Sequence, residues 1–166
     1  MNNIFLEKIF EHNNWANQKI IEACSTLTDE QLDAEPSGAT KGTIRETLTH
    51  LVHSQRGYFL LLTVPAEERI NEPPTFSEIQ QYADQSGEGL LAIAKEEVMP
   101  SGPKLTTRDG YYTKPWVVMT QVINHATEHR EQIKSMLTAL GITPPNIDSW
   151  SHAEVNNALV PMEKDL

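Results

Sequence analysis

Cysteine is nearly absent from this sequence, because Cys24 is the only one among 166 residues. A single cysteine excludes an internal disulfide framework, and it excludes iron–sulfur and zinc sites that are built from several cysteines. The sequence therefore predicts a protein of a reducing compartment. Its length is close to the commonest domain size, so we expect residues 1–166 to form a single domain with its own core.

Basic residues are also scarce, since 13 Lys and Arg stand against 23 Asp and Glu, for a formal charge of −10. Binding to nucleic acid depends mainly on Lys and Arg that neutralise phosphates. We therefore expect no nucleic-acid partner. A small-molecule substrate is the better fit to an acidic domain.

Long apolar runs are missing as well. The longest continuous run, Tyr58 to Leu62, is far short of the roughly 20 residues that span a bilayer. The first ten residues alternate charged and apolar side chains, unlike the continuous apolar stretch of a signal peptide. We expect no membrane partner and a cytoplasmic location.

Helical periodicity is the main pattern that the sequence does contain. Apolar residues recur at steps of three and four in four segments, as on the buried face of a helix. The predicted helices run from about Asn3 to Ser25, from Thr43 to just before Pro65, from Thr75 to about Val98, and from Pro115 to Gly141. Asp109-Gly110, between the last two, is typical of a tight hairpin. The predicted fold class is all-α, a four-helix bundle with one long connection before the last helix.

Several local signals support these boundaries. Thr43 and Thr75 are each followed three residues later by a glutamate, which is the pattern of a capping box. Gly87 and Gly89 are expected to weaken the third helix by about 1 kcal/mol each relative to alanine. The predicted buried stripe of the first helix consists of Phe5, Ile9, His12, Ala16, Ile20, Ala23 and Leu27.

The core-facing positions of the fourth helix include two histidines. This row consists of Val118, Val122, His125, His129, Gln132 and Met136. An i, i+4 pair places both imidazoles on one helix face, about 5–6 Å apart at Cβ, which suits a shared metal ion. The alternatives are two hydrogen-bonded core histidines or a chance surface pair. Burying two imidazoles without a common partner would leave several polar atoms to satisfy.

A mononuclear site needs at least one further ligand. On the second helix, His50 lies beside the apolar row, and His53 points about 60° further away from it. Periodicity favours His50 only modestly. His12 is expected to be a hydrogen-bonded core histidine and His152 a solvated one, so the residues alone leave the third ligand open.

Four segments, in this order along the chain, resemble the DinB family of DinB/YfiT-like metalloenzymes. They are HNNWAN at 12–17, GTIRETLTHL at 42–51, HATEHREQI at 125–133 and LGITPPNID at 140–148. The resemblance implies an up-down-down-up bundle that holds a divalent metal with three histidines, which fall on His50, His125 and His129. It also implies a homodimer.

Three neutral imidazole ligands leave a divalent ion its full charge and an open position. Such an ion lowers the pKa of bound water to about 7 or deprotonates a thiol, which gives a hydrolase or a thiol-dependent S-transferase. The resemblance favours the transferase with a low-molecular-weight thiol as cosubstrate, because relatives include transferases and isomerases that use such thiols. Zinc is the expected metal, and nickel, iron or manganese also suits a three-histidine site.

Other residues near the pair are candidates for catalytic roles. Glu128 adjoins the histidine pair and is the predicted catalytic base, with a solvated surface charge as the alternative. Tyr58 and Asn124 are weaker candidates, and Arg108 could receive an anionic substrate. The alternative function, from a different class, is a non-catalytic metal- or ligand-binding bundle of a stress response, because a fold alone does not establish turnover.

Overall fold

The computed structural model describes residues 4–35 and 42–162, and this part of the chain is mostly helical. Its helices are α1 (Ile4–Ser25), α2 (Asp29–Leu32), α3 (Ile44–Thr63), α4 (Ile79–Ala94), α5 (Pro115–Ala139) and α6 (Ser149–Val155). Single 3₁₀ turns lie at Ala66–Glu68 and Phe76–Glu78. The strands β1 (Leu105–Thr106) and β2 (Tyr112–Thr113) form an antiparallel hairpin around the predicted turn. The predicted start of the first helix, Asn3, lies outside the described residues.

The four long helices enclose the apolar core. Helix α1 contacts α4 and α5, and α3 contacts the same two helices. Two groups of buried apolar side chains fill the space between them, one on either side of the polar layer described below. The prediction of a mostly helical fold is confirmed. In the described ranges, the only β-strands are the two of the small hairpin. Within those ranges, no helix is long and apolar enough to cross a membrane.

The predicted helix starts at Thr43 and Pro115 are confirmed, and the predicted end of the third helix is wrong. The hydroxyl of Thr43 accepts from the backbone N–H of Glu46, whose carboxylate accepts from the N–H of Thr43 at 2.9 Å. At Thr75 the Glu78 carboxylate accepts from both the backbone N–H and the hydroxyl of Thr75, at 2.9 and 2.6 Å, and this residue opens a 3₁₀ turn that leads into α4. Helix α4 ends before the predicted Val98, because Glu96 has a φ of 62° and turns the chain out of the helix.

The predicted buried stripe of α1 is wrong in its first half. Phe5 and Ile9 are 80% and 46% exposed. The buried face instead begins at Phe10 and continues through Asn13 and Asn17, which are 1% and 2% exposed. The spacing of apolar residues does not predict this face, because Asn13 and Asn17 are polar. Such side chains are buried only where partners satisfy their hydrogen bonds.

Those partners form a polar layer that joins all four long helices. The Arg130 guanidinium donates to the side-chain oxygens of Asn13 and Asn17 at 2.8 and 2.7 Å. Asn17 donates to Gln55 Oε1 at 2.8 Å, and Gln55 donates to Ser86 Oγ at 2.8 Å. The layer therefore runs from α5 through α1 and α3 to α4.

The two glycines of α4 are sites of close helix approach, which corrects their interpretation as weak points. A Cβ built on Gly89 would lie 2.3 Å from the Phe59 ring of α3. The carbonyl oxygen of Gly87 accepts a hydrogen bond from Asn14 of α1 at 2.9 Å. Glycine at these positions lets α4 approach both neighbours closely.

We predict that Gly89→Ala destabilises the protein. Alanine is the better helix former, yet the overlap with Phe59 forces the core apart, at a net cost of about 1–3 kcal/mol. The measurement is the free energy of unfolding in urea. Glu88→Ala, at an exposed neighbouring position, is the matched control, and an equal or greater stability of Gly89→Ala than of this control would contradict the prediction.

Candidate metal centre

Helix α5 presents His125 and His129 on the flank that faces α3. The two residues are one helical turn apart, and their Nε2 atoms are 3.1 Å from each other. Both side chains are half-buried, since the fully buried row of α5 runs beside them through Ala126 and Ile133. The predicted placement of the pair on one helix face is confirmed.

Helix α3 brings His50 to the same point. His50 Nε2 lies 3.1 Å from His125 Nε2. One nitrogen from each of His50, His125 and His129 lies within 4.8 Å of the others, and no other His, Cys, Asp or Glu group of this kind occurs in the described residues. These three histidines could hold a metal ion.

The other histidines are engaged elsewhere. His53, the competing candidate on α3, bonds a backbone oxygen at 3.0 Å through its Nε2. His12 bonds the backbone oxygen of Ile147 at 2.9 Å and is half-buried. The prediction that His152 is solvated is wrong. Its imidazole, on α6, packs against the Trp15 ring, with ring centroids 5.1 Å apart.

Gln132 fixes the tautomer of one histidine of the cluster. Its Oε1 lies 2.8 Å from His129 Nδ1, and an amide oxygen can only accept, so His129 donates from Nδ1. The neutral ring then keeps its lone pair on Nε2, which faces the other two histidines. Residues that bond the second nitrogen in this way orient metal-binding histidines. Sequence reasoning did not assign Gln132 this role, although its i+3 spacing from His129 could have indicated it.

Two of the three clustered histidines have lowered pKa values. Burial, followed by the proximity of His129 and His50, lowers the pKa of His125 to about 4. Partial burial, followed by the proximity of His129 and His53, also lowers the pKa of His50. Both rings are therefore neutral at neutral pH, which is the protonation state that binds metal.

The remaining candidates lie at or beyond the edge of this cluster. Glu128 is exposed and is not a member of it, so its catalytic role stays a prediction. The Tyr58 ring stands edge-on to His125, with centroids 5.7 Å apart. Asn124 is exposed. Burial raises the pKa of the Cys24 thiol to about 12, so Cys24 supplies no thiolate at neutral pH.

The lowered pKa values predict how the stability of the metal-free protein depends on pH. A histidine whose pKa falls on folding binds fewer protons in the folded state, so acid favours the unfolded chain. The free energy of unfolding should therefore decrease from about pH 6.5, the ordinary histidine value, towards about pH 4, the value for His125. Urea unfolding near pH 7 and near pH 5, with a chelator present, measures this decrease.

Two variants assign the decrease to the cluster. His125→Ala removes the titrating group and should show a smaller decrease than the wild type. Asn124→Ala, at the exposed neighbouring position, should retain the full decrease. An equal decrease in the wild type and in His125→Ala would refute the assignment.

Comparison with known proteins gives a family assignment for this chain. Residues 1–163 match the model of the DinB family. A search of curated proteins found no significant match. The match covers all three clustered histidines and nearly the whole chain, and the chain therefore belongs to the DinB family.

Proposed function

We propose that this chain is a divalent-metal-dependent enzyme that acts on a small molecule. In the proposal, His50, His125 and His129 hold the ion on an up-down-down-up four-helix bundle. The observation that carries it is the convergence of three imidazole Nε2 atoms, with 3.1 Å between neighbours, from two different helices.

The donor chemistry of the cluster supports a metal ion. All three ligands are neutral imidazoles, and Gln132 holds the lone pair of His129 towards the common point. Without an ion, an Nε2 atom of the cluster can form a hydrogen bond to its neighbour only if one of the two carries a proton. The Nε2 atoms that carry none have lone pairs that face each other. A divalent ion held there supplies an undiminished positive charge, beside which a thiol or water loses its proton more readily.

The surrounding residues define what the chain itself does in the proposed reaction. Gln132 keeps His129 in one tautomer and one orientation. The Tyr58 ring contacts His125 edge-on, with centroids 5.7 Å apart, and so forms part of the surroundings of the cluster. Glu128, exposed on the same helix, is the proposed acceptor of the proton that the nucleophile releases.

The proposed nucleophile comes from a second substrate. Cys24 is 0% exposed, so the chain does not provide a thiol of its own. A low-molecular-weight thiol or water then attacks a small electrophile, which makes the protein an S-transferase or a hydrolase. Zinc is the proposed ion, with nickel, iron or manganese as the alternatives. The homodimer and the cytoplasmic location stay predictions.

Metal binding is the first test of this proposal. Zn²⁺ at about 100 times its dissociation constant should stabilise the wild type by about 2.7 kcal/mol, because it binds only the folded state. His125→Ala should abolish this stabilisation and the stoichiometric bound metal, as measured by thermal unfolding and elemental analysis. His53→Ala is the matched control on α3 and should keep both. Equal stabilisation of His125→Ala and His53→Ala would refute the site.

Turnover separates the enzyme from a non-catalytic binding bundle. We expect the metal-loaded protein to catalyse thiol conjugation or ester hydrolysis in a panel of small electrophiles. His50→Ala should abolish the activity, and Glu128→Gln should lower kcat if Glu128 accepts the proton. Stoichiometric metal binding without turnover on either panel would favour the binding bundle.

A further inference from the structure

A cavity of about 320 Å³ lies beside the histidine cluster along α3. Six of the residues that line it are Ser54, Tyr58, Leu61, Arg69, Thr107 and Arg108. Ser54 is one helical turn beyond His50 on the same face, and the Tyr58 ring also contacts His125. Tyr58 therefore lies between the cavity and the cluster, and Thr107 and Arg108 of the hairpin form part of the cavity wall.

The charge of this cavity is opposite to that of the whole protein. The chain carries 23 acidic and 13 basic residues, yet two arginines and no carboxylate line the cavity. A cavity of one charge with apolar walls concentrates ligands of the opposite charge. An anion is accordingly the ligand to which this cavity is complementary.

The two arginines have different roles. The Arg69 guanidinium is hydrogen-bonded to the backbone, since it donates to the carbonyl oxygens of Leu61, Val64 and Thr106. These bonds tie β1 to the end of α3 and so hold the hairpin over the cavity. Arg108 is exposed and, among the described residues, forms no hydrogen bond or ion pair, so its guanidinium is free to bind a ligand.

We infer that this cavity binds a small organic molecule with an apolar body and one carboxylate, which Arg108 holds by charge-assisted hydrogen bonds. The inference rests on the proposed function, because the cavity is the substrate pocket of the same site. A guanidinium matches a carboxylate in a bidentate geometry. The single free guanidinium balances the single charge of a carboxylate, and Leu60, Leu61 and Tyr58 face the apolar body.

The distance along α3 fits a substrate that reaches the cluster. Gly57, one of the residues that line the cavity, is seven residues from His50, about 10 Å along the helix axis at the usual rise per residue. A carboxylate at Arg108 therefore directs the other end of a small molecule towards the three histidines. Arg108 is a substrate-binding residue in this arrangement, and Arg69 is a positioning residue.

Calorimetric titration with benzoate and its neutral isostere benzamide tests the inference without any turnover. With and without Zn²⁺, benzoate should bind the wild type about tenfold more tightly than benzamide, since hydrogen bonds to charged groups are the stronger ones. Arg108→Gln should abolish this preference. Lys104→Gln, which removes the same charge from an exposed position of the same connection, should preserve it. Equal binding of both probes to the wild type, or a preference that survives in Arg108→Gln, would overturn the inference.

A second pair of probes identifies which substrate carries the carboxylate. On the zinc-loaded protein, 3-mercaptopropionate is compared with the neutral thiol 2-mercaptoethanol. An Arg108-dependent preference for the former assigns the carboxylate to the thiol. Equal binding of the two thiols, together with the benzoate preference, assigns it to the electrophile. The benzoate preference in metal-free protein is independent of the metal site, so failure of the proposed function and failure of this inference are distinguishable.

Discussion

The fold depends on one buried cation. Arg130 is 4% exposed, and in the described part of the chain it forms no ion pair. Burial of such a charge costs several kcal/mol unless hydrogen bonds compensate it. Asn13 and Asn17 provide those bonds, and Asn17 is in turn bonded to Gln55. Since all of these bonds form together, they specify one rotation and one register for α1, α3 and α5.

That register is also what assembles the histidine cluster. Arg130 follows His129 directly, so pointing the arginine into the core turns the preceding histidine towards α3. Gln55 lies five residues beyond His50, and its burial leaves His50 on the flank that meets α5. The polar layer therefore positions the site through the helix backbones, without touching it. A functional site on rigid helices keeps its geometry better than one on loops.

Sequence patterns predicted those parts of the structure that depend on local physics. Capping at Thr43 and the i, i+4 spacing of His125 and His129 are properties of a few neighbouring residues, and both were found where predicted. The buried face of α1 was wrong because the burial of Asn17 depends on residues of two other helices. Helix α6 was missed because a helix of two turns shows almost no periodicity. Periodicity did not decide the third histidine, because the rotation of α3 is set by the polar layer.

The charge at the site differs in sign from the net charge of the chain. A formal charge of −10 repels small anions from most of the surface, yet neither the histidine cluster nor the adjoining cavity contains a carboxylate. Neutral ligands would preserve the full charge of a bound ion, and Arg108 adds a second cation beyond Tyr58. A positively charged cavity attracts anions most strongly where its apolar walls exclude water. The attraction of an anion is therefore local to the mouth of this cavity. The scarcity of basic residues that argues against nucleic acid thus makes the two arginines that line this cavity a local exception to the acidic balance of the chain.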